Sequence, residues 1–358
     1  MLRRHLWWLA PLAGAIVAGS IVAAVSLGGS STPGTTTSAG TTAGTKTAAL
    51  RPSNAALAYQ EAITAVVRNL SPSVVQIQNA QGLGSGIVFD SSGDIVTNNH
   101  VVAGGGPYTV TAGRKTYKAK LVGSFAPDDL AVVHVSGAHL PPASFANSDQ
   151  LAVGDLAIAI GNPLGLRSSV TEGIVSAFRQ GVSEGASNGQ PVALPSMIQT
   201  SAPINPGNSG GALADIEGRV IGIPTLAATD PELGGSAAPG IGFAIPSNLV
   251  KNIARQIIEH GHVVDSHRAY LGVRVGETGG SGVLIGRVDP GGPAAKAGLR
   301  AGDVVVSIGG KKTPTIDVLT SVLSELKPGA TVTVDYVTQS GAQKSTPLTL
   351  GTYPGGTG

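Results

Sequence analysis

The sequence predicts a mostly β protein with two folded domains behind an apolar N-terminal segment. Three observations carry that prediction. Glycine (52 residues) and proline (23) are abundant while charged residues make up only 12% of the chain, which suits many short strands joined by tight turns rather than long charged helices. Between Val74 and Ile245 the apolar residues come in short runs punctuated by Gly, Pro, Asn and Asp, among them Val74–Ile77, Gly86–Phe89, Leu130–Val135, Leu156–Ile160 and Val220–Ile223. At 358 residues, the chain is also longer than one domain of common size needs. Many strands with few helices argue for an antiparallel barrel or sandwich.

Taken in order, Arg3 and Arg4 precede an uncharged stretch from Leu6 to Leu27, long enough as a helix, about 33 Å, to cross a bilayer. It exceeds the apolar core of roughly 7–15 residues usual in a secretory signal. Residues 1–27 therefore read as an uncleaved transmembrane anchor, although Ala24-Val25-Ser26 also reads as a weak cleavage site. The basic end stays in the cytoplasm, which predicts a single-pass cell-membrane protein with everything else on the extracytoplasmic side. Residues 28–51, rich in Gly, Ser, Thr and Ala, read as a flexible tether. The first folded domain spans 52–262. It opens with a helix capped by Ser53, whose Ile63, Val66, Val67 and Leu70 share one face and which Ser71-Pro72 ends. It closes with a helix over Asn248–His260, capped by Ser247 and stopped by Gly261. After a hinge-like segment, a second unit spans 268–352, with strands at Gly282–Val288, Asp303–Ile308 and Thr331–Val337 and a helix at Thr315–Leu326. The tail after Leu350 reads as frayed.

Composition also excludes. With no cysteine there is no disulfide, thiolate metal site or cysteine nucleophile. A net charge of +2 with no Lys/Arg run gives no footprint for nucleic acid. No His-Glu-x-x-His spacing appears, so neither metal nor cofactor is expected.

The run Gly207-Asn208-Ser209-Gly210-Gly211 carries the most chemistry. A serine between glycines can sit on a sharp turn with its hydroxyl exposed and backbone N–H groups aimed at the same point, as an acyl-transfer nucleophile and its oxyanion hole require. Such a serine needs a histidine to take its proton and a carboxylate to orient that histidine. His100 follows the strand-like run Asp94–Thr97 and the polar turn Asn98-Asn99, whereas His134 sits inside an alternating strand. Asp129 opens the strand Leu130–Val133, and neighbouring Asp128 is an equal candidate on residue type alone. A Gly-x-Ser-x-Gly elbow of an α/β hydrolase, completed by Asp230 and His260, is the rival reading. It needs a helix after the serine, where Ala214–Arg219 reads instead as a hairpin turn.

Thr97-Asn98-Asn99-His100-Val101-Val102, Asp129-Leu130-Ala131-Val132 and Ile204-Asn205-Pro206-Gly207-Asn208-Ser209-Gly210-Gly211 resemble, in order and spacing, the three blocks of the HtrA (DegP/DegS-like) serine protease family. Gly84-Ser85-Gly86, Ala159–Pro163, Ile198-Gln199-Thr200 and Gly242–Pro246 extend the likeness. The resemblance implies a chymotrypsin-like double β-barrel followed by a PDZ domain. It makes Ser209 the nucleophile, His100 the general base and acid, and Asp129 the orienting carboxylate, with the oxyanion hole at Gly207, Asn208 and Ser209. Ile204 would belong to the primary specificity pocket and Ile223-Pro224-Thr225 to the edge that receives an extended substrate, with cleavage after small aliphatic residues. Segments 164–172, 179–190 and 226–239 correspond to loops that switch the site on and off. Ser201 stands where many relatives carry aspartate and Pro224 where many carry asparagine. Pro224 brings no N–H to the edge.

Tyr270-Leu271-Gly272-Val273 resembles the carboxylate-binding loop of the PDZ domains attached to these proteases. The implied protein is an ATP-independent, membrane-tethered endopeptidase of the cell envelope. It acts on misfolded or unfolded exported polypeptides, binds peptide C-termini at its PDZ domain for recruitment or activation, and assembles as a homotrimer. A PDZ-bearing scaffold that holds unfolded chains without cutting them is the non-enzymatic alternative.

Overall fold

Residues 53–162, 169–184, 192–205, 207–230 and 236–354 are described by the computed structural model of the protein. The predicted anchor and tether lie outside them, and among the described residues no helix is long and apolar enough to cross a membrane. Helix α1 (Asn54–Leu70) starts where the sequence predicts, with the Ser53 side chain accepting the Ala56 N–H at 3.2 Å.

Six strands then close a first barrel: β1 (Val74–Gln78), β2 (Leu83–Val88), β3 (Asp94–Thr97), β4 (Tyr108–Ala112), β5 (Lys115–Phe125) and β6 (Leu130–His134), with the short α2 (Asn99–Val102) after β3. Around the barrel they run β1-β2-β3-β6-β5-β4. A second barrel is built from β7 (Leu156–Gly161), β8 (Ser169–Glu184), β9 (Val192–Thr200), β10 (Ala212–Ala214), β11 (Val220–Asp230) and β12 (Ser236–Pro246), in the order β10-β11-β12-β9-β8-β7. Ile87, Val96, Leu130 and Val132 of the first barrel share one apolar core with Ile158, Ile160, Ala212 and Ile223 of the second. Burial of that shared face holds the two barrels together.

Helix α3 (Ser247–His260) packs Val250, Ile253 and Ile257 on this core and ends at Gly261, whose φ of 76° lets its N–H reach the Ile257 carbonyl at 2.8 Å. Ser247 is not its cap. Pro246 occupies the cap position, the Ser247 hydroxyl donates to the Ala146 carbonyl at 2.9 Å, and Ser148 Oγ accepts the Asn248 N–H at 3.1 Å. Of the segments expected as switching loops, 169–172, 179–184, 226–230 and 236–239 are strand, and the remainder lies outside the described residues. Hairpins β8–β9 and β11–β12 keep pairing out to Glu184↔Val192 and Asp230↔Ser236, because a paired ladder satisfies the backbone whatever the side chains.

The C-terminal unit contains β13 (Ala269–Tyr270), β14 (Val273–Glu277), β15 (Val283–Val288), α4 (Pro293–Lys296), β16 (Val304–Ile308), β17 (Lys311–Lys312), α5 (Ile316–Ser324), β18 (Thr331–Val337), β19 (Gln343–Thr349) and β20 (Gly351–Thr352). The main sheet runs β14-β15-β16-β18-β19, so β14 is an edge strand, and α5 closes a separate core containing Val283, Ile285, Val305, Leu319 and Leu348. Thr315 caps α5 through the Val318 N–H. The tail is not frayed where it is described. Residues of β20 pair with β13, and the Tyr353 ring lies edge-on to Phe125 (centroids 6.1 Å apart) and to Tyr270 (5.4 Å).

Candidate active site

Strands β3 and β6 pair antiparallel with Thr97 opposite Ala131, so the end of one and the start of the other lie side by side. That pairing is why His100 and Asp129 meet across 29 residues. A short 3-10 turn over Ala126–Asp128 delivers Asp129 in the left-handed region (φ 50°), which Asp tolerates better than most residues. Its carbonyl accepts the Asn99 N–H and the buried Asn98 amide, each at 3.0 Å. Its carboxylate takes three donors: the His100 N–H on Oδ1 at 2.9 Å, His100 Nδ1 on Oδ2 at 2.9 Å, and the Thr225 hydroxyl on Oδ2 at 2.5 Å. The Nδ1–H bond fixes the tautomer in which Nε2 carries the lone pair a base needs. Asp129 is 2% exposed whereas the His100 side chain is 31% exposed, so the acid is enclosed and the base faces the cleft.

Ser209 sits on the turn after Gly207 (φ 100°) and before Gly210 (φ 80°). A Cβ at Gly210 would come within 2.1 Å of the Ser85 carbonyl, so only glycine fits. Ser85 on β2 fastens this turn to the opposite barrel. Its N–H donates to the Ser209 carbonyl at 2.9 Å, its hydroxyl to the Gly207 carbonyl at 2.6 Å, and the same oxygen accepts the Asn162 N–H at 2.8 Å. The Thr97 hydroxyl in turn holds the Ser85 carbonyl at 2.6 Å. Ser209 and His100 thus come from different barrels but hang on one hydrogen-bonded network. Thr225 completes it, its hydroxyl on Asp129 and its carbonyl receiving the Ser209 hydroxyl at 3.2 Å.

Among the described residues, the N–H groups of Gly207 and Ser209 donate to no protein acceptor. The Asn208 N–H is engaged by the Asn205 carbonyl at 3.0 Å and its side chain is buried, so of the three predicted oxyanion residues the outer two offer donors and Asn208 braces the turn. Ile204 is 8% exposed and covers Gly242, where a Cβ would fall 2.4 Å from Ile204 Cγ1. Of the predicted substrate edge, Ile223 is wholly buried and the Pro224 carbonyl is taken by the Gly210 N–H at 3.1 Å. Strand β10 pairs β11 only at Val220–Gly222. From Thr225 onward no described strand covers that side of β11. The rival elbow lacks its helix: the chain leaves Ser209 directly into β10, and the Asp215 carboxylate ties the following hairpin through the Glu217 and Arg219 N–H groups. Asp128 is excluded as the orienting acid, since it is wholly buried against Arg268 Nη1 at 2.7 Å. Burial pushes its carboxyl up from the usual range, opposed by the Arg268 charge.

Among the described residues no trio of His, Asp or Glu is arranged to hold a metal ion. The second candidate site is a cleft of about 380 Å³ in which Leu271, Val273, Val275, Leu319 and Leu323 of β14, α5 and the loop before them face Ser148, Asp149, Pro246 and Asn248 of the protease domain. At its end Gly272 takes φ 77°, and the N–H groups of Leu271 and Gly272 donate to no acceptor among the described residues. Burial, together with a hydrogen bond to Asp289, pushes the Tyr270 hydroxyl up to about 12, so it remains a donor to that carboxylate.

Comparison with known proteins adds names to this geometry. A trypsin-like peptidase domain is matched by residues 84–223 and a PDZ domain by residues 269–346. The chain is 39% identical over 284 residues to a probable periplasmic serine endoprotease, DegP-like, of Chlamydia trachomatis, covering 76% of this chain and 54% of that protein. It is 36% identical over 337 residues to the serine protease Do-like HtrA of Lactococcus lactis subsp. cremoris, covering 79% and 81%. The chain spans about half the length of several of the curated relatives it matches. Among solved structures, the HtrA-type protease AlgW with decapeptide is matched with a TM-score of 0.55, 30% identity, and coverage of 82% of this chain and 99% of that one. The serine endoprotease of Yersinia pestis is matched with a TM-score of 0.55 and 32% identity, covering 81% and 98%.

Proposed function

Given that the chain belongs to the HtrA family of serine proteases, we propose that it is an ATP-independent serine endopeptidase of the cell envelope that cuts misfolded or unfolded exported polypeptides. The observation that carries the proposal is the bidentate hold of Asp129 on His100 beside a serine turn braced by Ser85. Ser209 Oγ attacks the scissile carbonyl while His100 Nε2 takes its proton, and Asp129 stabilises the imidazolium that forms. The tetrahedral oxygen develops its charge toward the Gly207 and Ser209 N–H groups, where preorganised donors contribute most. His100 then protonates the leaving amine, and water repeats the sequence on the acyl-enzyme. An extended substrate adds along β11 from Thr225, with a small aliphatic side chain against Ile204.

The PDZ cleft takes peptide C-termini, and residues 1–27 tether the enzyme to the membrane with both domains outside, in keeping with the periplasmic relatives. Exposed Val170 and Ile174 share one face of β8, beside the Tyr59 hydroxyl that donates to Glu172 on the same face, and exposed Phe178 follows beyond the bulge between Val175 and Ala177. This apolar strip supports a homotrimer built on the protease domains. The test is casein digestion by the full chain beside its Ser209→Ala variant. Cleavage by the parent alone is expected, with product ends after Val or Ala. Equal cleavage by both would overturn the assignment, and binding of casein without cleavage by either would support the scaffold reading.

A further inference from the structure

Strand β14 is the open edge of the PDZ sheet, and its residues alternate. Val273 and Val275 line the apolar cleft, while Arg274 between them is exposed and absent from its lining. Directly across the ladder, Arg274 pairs in register with Arg287 of β15, also exposed. The register shifts right there, so Gly286 is extra on β15, a bulge of the kind that re-aims the neighbouring side chain. Two like charges directly opposite one another destabilise a sheet. Among the described residues neither arginine has an ion-pair partner. The acids close to them in sequence are engaged: Asp289 accepts the Tyr270 hydroxyl, and Glu277 accepts the Ile316 N–H at 3.1 Å. A doubled positive charge therefore stands beside a free strand edge with no ion-pair partner among the described residues.

We propose that Arg274 and Arg287 read acidic side chains at the penultimate and fourth-from-last positions of the peptide bound along β14. This rests on the reading of the cleft as a C-terminus site. A strand added to β14 with its carboxylate at the Leu271 and Gly272 N–H groups puts its last side chain into the cleft lined by Val273, Leu319 and Leu323. Its neighbours alternate, so the penultimate and fourth-from-last side chains project to the face that carries Arg274. Charge complementarity thus selects an acidic-apolar C-terminus, of the kind exposed when an exported chain with such an ending fails to fold.

The test uses the full chain carrying Ser209→Ala, so that probes are not cut, and three fluorescent decapeptides that differ only at their ends. One ends Asp-Ala-Asp-Val, one Lys-Ala-Lys-Val, and the third is the C-terminal amide of the first. Fluorescence anisotropy is expected to give roughly tenfold tighter binding of the acidic than of the basic peptide, in line with two exposed charge pairs gained against two repulsions. That ratio should shrink at about 0.5 M salt. Arg274→Gln with Arg287→Gln removes the ratio but keeps the need for a free carboxylate, and Arg274→Lys with Arg287→Lys preserves both. Equal affinity for the two free-acid peptides overturns the charge readout and leaves the C-terminus site standing. Equal affinity for the amide overturns the site and the readout together.

Discussion

Replacing Thr225 by valine tests whether the strand behind the triad holds its carboxylate. The substitution keeps a β-branched side chain of similar size and removes only the hydroxyl, which lies 2.5 Å from Asp129 Oδ2. Thr225 is 4% exposed and Asp129 2%, so no solvent takes over the lost donor. A hydrogen bond to a charged group contributes about 1.5–3 kcal/mol, and an enclosed carboxylate left short of a donor loses that amount. The expected loss of stability is about 2 kcal/mol, a fall of about 4–8 °C in the melting temperature of a domain this size. Melting is measured in a Ser209→Ala background to avoid self-digestion. Activity falls as well, because Oδ2 is also the oxygen that holds His100 Nδ1. A carboxylate held by His100 alone lets the imidazole drift from its attack geometry, for which about a tenfold fall in kcat/KM is expected. Thr225→Ser, which restores the hydroxyl, should recover most of both. A valine variant with parental melting and parental kcat/KM would refute the reasoning.

Two other predictions concern charge and assembly. The Asp128 carboxyl is raised by burial, so its favourable contribution is fully present below the ordinary carboxylate range and is lost as pH rises through the elevated folded-state value. Relative to the parent, Asp128→Asn should therefore gain stability as pH is raised from about 4 to 7, read as melting temperature against pH, and a difference that stays constant would contradict the direction. On the proposed trimer, Ile174→Glu places a charge in the exposed apolar strip on β8 and should reduce the sedimenting mass to that of a monomer without unfolding the barrel. An unchanged mass would move the assembly surface elsewhere.

The proposed triad is legible in the sequence because each member lies in a short block that carries its own context: a strand end for His100, a strand start for Asp129 and a glycine turn for Ser209. What brings the blocks together is not. Ser85 and Thr225 are a serine and a threonine inside strands, a setting in which nothing local distinguishes a core hydroxyl from one that braces a catalytic carboxylate or turn. Their roles come from partners 122 and 96 residues away. Helix capping failed at Ser247 for the same reason. The local rule assigns a cap to the serine before the helix, but the barrel brings Ala146 and Ser148 to that end, and they take the serine and the helix N–H between them. Composition misleads at Gly351 and Thr352 in the tail, since glycine predicts fraying only where no strand such as β13 waits to pair with it.

Arg268 shows how the two domains acquire a fixed relation. Its guanidinium donates to the Pro127 carbonyl and to the wholly buried Asp128, the two residues before Asp129, while the next residues of its own chain, Ala269 and Tyr270, lead into the loop that ends the PDZ cleft. Around it the Tyr353 ring bridges Phe125 of the first barrel and Tyr270 of the PDZ unit. An enclosed ion pair stabilises little compared with apolar side chains of the same volume, because desolvation offsets much of its attraction. Breaking one, however, leaves a buried charge at a cost of about 3–5 kcal/mol. The aromatic contacts add only about 0.5–1.5 kcal/mol each and tolerate a range of angles. The pair therefore acts less as glue than as a register: rotations that slide Tyr353 across Phe125 cost little, but any rotation that separates Arg268 from Asp128 strands a carboxylate next to Asp129. That asymmetry makes Arg268 and Asp128 a determinant of where the cleft between β14 and α5 lies relative to Asp129, beside the packing of α5 on β8 and β9.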